Sequence, residues 1–133
     1  MKESETRQTS PNDHLVYLQK AESFLRTMRL AIEKSEWDAA AVLAVHCAIS
    51  SCDALTSRFL QKKHIAKDHS RVVGLLMQLP FESREIKTKR LQLSQVLEMK
   101  NAAEYQARLI REKEARMMAL QAERVFEWAR DKL

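Results

Sequence analysis

The run Glu98-Met99-Lys100-Asn101-Ala102-Ala103-Glu104-Tyr105 sets an ammonium, an amide, a carboxylate and a phenol close together in the chain. Lys100 and Glu104 are four apart, so on a helix they form an ion pair worth about a few tenths of a kcal/mol when exposed. They also continue the apolar stripe of Leu93 and Leu97, which aims both charges inward. A second polar set, His46, Ser50, Asp53 and Ser57, stacks along one side of an alanine-rich stretch that carries no charge between Asp38 and Asp53. Two readings fit His46 and Ser50: side chains hydrogen-bonded inside a core, or a polar pocket or subunit interface. Ser57 reads as the solvent side.

Other chemistries lack their residues. Gly74 is the only glycine, which excludes a phosphate-cradling glycine loop and a serine-hydrolase elbow. The histidines at 14, 46, 64 and 69 show no zinc-protease or Cys/His ligand spacing, so neither a metal nor a cofactor is expected. Cys47 and Cys52 lie five apart on one helix, a poor match to disulfide geometry, and read as buried reduced thiols.

The element that must position these groups is the stretch 37–63. It has no Gly or Pro, and as a helix it would span roughly 40 Å. Ala41, Ala44, Ala48, Cys52, Leu55 and Phe59 form one stripe, widened by Val42, Val45 and Ile49, so this is a central helix with neighbours on several sides. Before it, residues 1–12 read as a flexible polar tail. Pro11-Asn12-Asp13 then opens a first helix, striped by Leu15, Leu18, Leu25, Met28 and Ile32 and running to about Lys34. Ser35 reads as the N-cap of the central helix, and so short a junction makes the first two helices an antiparallel hairpin.

Downstream, residues 64–67 connect to a short helix capped by Asp68 and ended by Pro80. Ser83 opens a fourth helix with Ile86, Leu93, Val96 and Leu97 inward, continuing into Lys100 and Glu104. A break is expected over residues 106–110. A last helix follows from about Glu112, with Ala115, Met118, Ala122, Val125, Phe126 and Ala129 inward and Trp128 at the edge.

One Gly, two Pro and no sustained alternation leave no case for strands. The fold class is therefore all-α: an antiparallel four-helix bundle with one additional short helix, forming a single domain over 13–133. No run matches a membrane span and the N-terminus is no signal peptide, so the expected setting is cytoplasmic with no membrane partner. The net charge of +5 permits a nucleic-acid partner without demanding one.

The order of these helices, the WDAAAVLAVHCAISSCDAL segment, the DHS opening, KNAAEY and the terminal EARMMALQAERVFEWARDKL together resemble a HEPN domain from about residue 14 onward. The resemblance implies a helical bundle, commonly a homodimer, often paired with a minimal nucleotidyltransferase in toxin–antitoxin systems. Other members of the family bind nucleotides or cleave RNA without a metal, using an Arg, a following polar residue and a His four to six positions on. In this chain those positions fall on Lys100, Asn101 and Tyr105 (Gln106 at the longer spacing), so only the Asn matches.

That departure matters chemically. An unperturbed Tyr near pKa 10 is poorly suited to shuttle the 2′-hydroxyl proton, and losing such help costs about 10²- to 10⁴-fold. Lys replaces a donor fork with a point charge. The resemblance therefore implies a module that associates with nucleotide, RNA or a nucleotidyltransferase and is catalytically weak or inert. Lys100, Asn101 and Tyr105 are the ligand-binding candidates, Asp53 and Glu104 the groups expected to hold Lys100, and His46 a supporting contact. Two alternatives stand beside it: a helical assembly module with no ligand, and an active metal-independent ribonuclease in which His46 lends the missing imidazole.

Overall fold

The computed structural model describes residues 6–65 and 70–133. In chain order the elements are β1 (Thr6–Gln8), α1 (Asp13–Glu33), α2 (Trp37–Leu60), β2 (Lys62–His64), α3 (Ser70–Leu76), α4 (Ser83–Leu97), α5 (Lys100–Glu104) and α6 (Glu112–Lys132). The protein is mostly helical, as its periodicities predict. The expected cap Asp68 and the helix residue His69 lie outside the described residues.

α2 is the axis of the fold. Every residue from 47 to 57 is buried, and α2 touches α1, α3, α4, α5, α6 and β2. Small side chains make this possible, because Ala40, Ala41, Ala44 and Ala48 let the helices on either side approach closely. Cys47 and Cys52 are free and buried in the same packing, and burial pushes the Cys47 thiol up to about 12. By length and composition α2 is also the one described helix able to cross a membrane, yet 78% of its apolar window is buried inside the protein. Ser57, read as solvent-facing, is buried as well: the last turns of α2 are covered by the chain before α1 and by β2.

That cover is the main departure from the sequence reading. Residues 6–12 are not a free tail, and strands are present. β1 pairs antiparallel with β2, Thr6 opposite His64 and Gln8 opposite Lys62. The Thr9 amide then donates to the Gln61 carbonyl at 3.0 Å. Three-residue strands are too short to show an alternation, which is why no pattern announced them.

The α1–α2 junction also differs from the expected cap. Glu36, not Ser35, is the N-cap of α2. Ser35 takes the left-handed conformation, φ 59°. Its amide donates to Ile32 and that of Glu36 to Ala31, a Schellman ending in which glycine is the usual occupant. Ser35→Gly is accordingly expected to stabilise the protein by about 0.5–1 kcal/mol. Urea melts would read this directly, and a loss of stability would contradict it.

α4 buries Ile86, Leu93 and Val96 against α6. α6 buries Phe126 as its stripe predicts, but also Trp128, which was expected at the edge. The indole Nε1 of Trp128 donates to Glu85 Oε1 at 2.6 Å, so its polar end is satisfied within the α4–α6 contact. On its other side the ring meets Phe81 edge-on.

Candidate functional site

The charged stripe does not continue α4. The chain turns at Glu98 and Met99, where the Met99 amide donates to Val96 at 3.2 Å, and α5 begins anew at Lys100. The inward aim of the stripe is nonetheless correct: the side chains of Lys100 and Glu104 keep only 16% and 12% of their exposure. Ala102, between the two in sequence, packs into the core and seats α5 on α2.

Glu104 is the centre of the site. Its Oε2 lies 2.9 Å from Lys100 Nζ, and its Oε1 lies 3.0 Å from His46 Nε2 on α2. A carboxylate only accepts, so His46 presents an N–H from Nε2 to Glu104. The His46 ring rests beside Phe24 of α1, centroids 5.8 Å apart. Lys100 Nζ also donates to the Tyr105 hydroxyl at 3.4 Å and sits 4.7 Å from the centroid of the same ring. Desolvation works against the Lys100 ammonium. The hydrogen bonds to Glu104 and Tyr105 outweigh it, so its pKa lies above the ordinary lysine value.

Of the six residues singled out by sequence, the structure brings four together: His46, Lys100, Glu104 and Tyr105. Asn101 is exposed on α5. Asp53 does not hold Lys100, a correction with a simple geometric cause. It lies nearly two helical turns beyond His46 along α2, and its Oδ2 is 3.4 Å from Lys63 Nζ of β2. Ser57 likewise belongs to other surroundings, at the cleft beside the end of α2, so the polar line on α2 is not one seam.

Tyr105 is 72% exposed and stands on a cleft of about 550 Å³ shared with Asp38, Glu104, Arg108 and Leu109. The break expected over 106–110 forms its wall. Asp38 accepts the Ile110 amide at 2.9 Å and so pins this loop to the start of α2. Arg108 makes a two-pronged pair with Glu114, 2.9 and 2.7 Å, and Glu114 also accepts the Arg111 amide at 3.0 Å. These contacts hold the Glu114 carboxyl down at about 2. Asp38 was missed by sequence reasoning because a contact across 72 residues has no periodic signal, and Arg108 because it lies in the irregular stretch between α5 and α6.

Among the described residues, no group of three or more His, Cys, Asp or Glu side chains is placed to hold a metal ion. No protein-family model matches the chain, and no curated protein matches it significantly. The chemistry of the site lies in its own geometry. It offers one imidazole oriented by a carboxylate, one ammonium neutralised by that carboxylate, and one open aromatic face.

Proposed function

We propose that this chain is a HEPN-like antiparallel four-helix bundle, built on α1, α2, α4 and α6, that binds nucleotide or RNA and does not cleave it efficiently. The observation that carries this reading is the Glu104 carboxylate, which occupies both the His46 imidazole and the Lys100 ammonium. Cleavage of RNA without a metal needs a proton acceptor on the 2′-hydroxyl and free positive donors on the developing phosphorane. Here the ammonium is already neutralised, and it offers a point charge rather than a fork. Binding survives that loss, because one face of the exposed Tyr105 ring is backed by Lys100 while the other is open for a base to stack, worth about 1–3 kcal/mol. Asn101 adds an exposed amide, and Lys100 Nζ has a further N–H to donate to a phosphate oxygen.

The test is a binding titration with a nucleoside monophosphate and a short single-stranded RNA. Weak, salt-sensitive binding is expected. Lys100→Ala should weaken it more than Tyr105→Phe, which keeps the stacking face. Equal affinity of wild type and Lys100→Ala would remove this site and leave a helical assembly module as the reading.

The same face suits a two-fold homodimer. Leu109, 80% exposed, projects beside the charged cluster, and a symmetric contact would cover it and bring the two Lys100–Tyr105 segments near each other. A nucleotidyltransferase-type partner would meet this surface too. Light scattering at micromolar concentration should give twice the chain mass, and a monomer mass throughout would exclude the dimer.

A further inference from the structure

The β1–β2 ribbon sets like charges face to face. Its register places Arg7 directly opposite Lys63, so both side chains leave the same face of the ribbon. Like charges so placed repel, and the fold keeps them against that cost. Tyr17 of α1 draws them together with a third cation. Its hydroxyl oxygen accepts from Arg7 Nη2 at 3.4 Å, and its ring centroid lies 4.8 Å from Lys63 Nζ and 5.9 Å from Lys20 Nζ.

One carboxylate answers the three. Asp53 pairs with Lys63 at 3.4 Å and is only 6% exposed. Lys20 and Arg7 act on it electrostatically, but neither forms an ion pair among the described residues. Both are exposed. Arg7 gives one N–H to Tyr17, and the rest of its planar fork has no side-chain partner among the described residues. Positive charge is thus in excess here, held in place by Tyr17 and open to solvent at Arg7 and Lys20.

The position of this face on the fold indicates the anion. Tyr17, Lys20 and Phe24 lie on one side of α1, spaced by three and four residues. On α2, His46 and Asp53 are seven apart and also share a side. Phe24 stands beside His46, while Lys20 acts on Asp53. The basic face and the Glu104–Lys100 cluster therefore lie on the same side of the α1–α2 pair, about 10 Å apart along α2. We propose that Arg7, Lys20 and Lys63 hold the phosphodiester backbone of a single-stranded RNA whose base stacks on Tyr105. The proposal rests on the RNA reading of the Lys100 site and adds that the ligand is a strand rather than a mononucleotide. Arg7 meets a phosphate with its paired N–H donors, Lys20 and Lys63 supply point charges, and Tyr17 positions all three. One strand joining both places makes the second contact intramolecular, so an oligonucleotide binds more tightly than a mononucleotide.

Fluorescence anisotropy of the full chain with a labelled single-stranded RNA of about eight nucleotides, a length one such surface covers, tests this beside calorimetry with a nucleoside monophosphate. The double variant Arg7→Gln/Lys20→Gln should weaken RNA binding about tenfold or more at low salt. It should also lower the slope of log affinity against log salt by about one, yet bind the monophosphate as wild type does. A charge-matched control, Arg84→Gln/Lys87→Gln on the exposed side of α4, should bind RNA as wild type does. Asp53→Asn should tighten RNA binding about two- to fivefold at pH 7.5, a gain that a damaged fold would not give. Equal RNA affinity in wild type and Arg7→Gln/Lys20→Gln, with the monophosphate still bound, would overturn this proposal and leave the Lys100 site standing. An equal loss in both double variants would overturn it too, by showing only general attraction to a basic protein. So would anionic phospholipid vesicles that displace the RNA with the same dependence on Arg7 and Lys20. RNA binding that needs Arg7 and Lys20 while the monophosphate does not bind would uphold the basic face and fail the Lys100 site instead.

Discussion

Phe126→Ala is expected to cost about 3–5 kcal/mol of stability, the range for deleting a buried ring. Phe126 is 3% exposed and belongs to the same buried face as Ala122, Val125 and Ala129. Those neighbours are small and helix-bound, so they have little freedom to collapse into the space left behind. A domain of this size holds about 5–15 kcal/mol in total, so the variant would sit near its folding threshold at room temperature. Urea or guanidinium melts measure the loss. A value below about 1 kcal/mol would mean that α6 does not pack as described.

The second large effect concerns Asp53, and its sign is the opposite of what an ion pair suggests. Burial pushes the Asp53 carboxyl from 3.8 up to about 6, against the opposing pull of Lys63, Lys20 and Arg7. Those three cations face it from β2, α1 and β1, with Lys63 Nζ also 4.8 Å from the Tyr17 ring centroid. Because the folded value lies above the unfolded one, the native state holds the extra proton between about pH 4 and pH 6. Stability from this group is therefore greatest at the acid end of that window. It declines as pH rises and is fully lost above about pH 6, by roughly 3 kcal/mol as an upper figure.

Asp53→Asn keeps the shape and an acceptor for Lys63 but removes the buried charge. It should be more stable than wild type at pH 7.5, with the advantage shrinking toward zero near pH 4. Denaturant midpoints across that range measure it. A variant less stable than wild type at pH 7.5 would show that the attraction of Lys63 outweighs the burial of the charge.

Helices were legible because their signals are local and periodic. The alanine run at 40–48 announced a central helix, and the Leu93/Leu97 stripe correctly aimed Lys100 and Glu104 inward even across the turn at Glu98 and Met99. Long-range and irregular features were not legible. Ser35 looked like an N-cap because serine favours that position, yet the junction needed a left-handed residue. The β1–β2 ribbon depends on strands of three residues and on a crossing over the end of α2. That same crossing explains why Ser57 is buried and why Asp53 answers to Lys63 rather than to Lys100. The contact of His46 with Glu104 was half legible: both residues were named, but the pairing of α2 with α5 required the three-dimensional arrangement.

The most direct test of the account is an RNA cleavage assay on the purified protein in excess chelator, with single-stranded and structured substrates. With Glu104 holding both His46 and Lys100, cleavage should not rise above the rate in buffer, while the same preparation still binds RNA weakly. Robust cleavage without metal, abolished by Lys100→Ala, would contradict it.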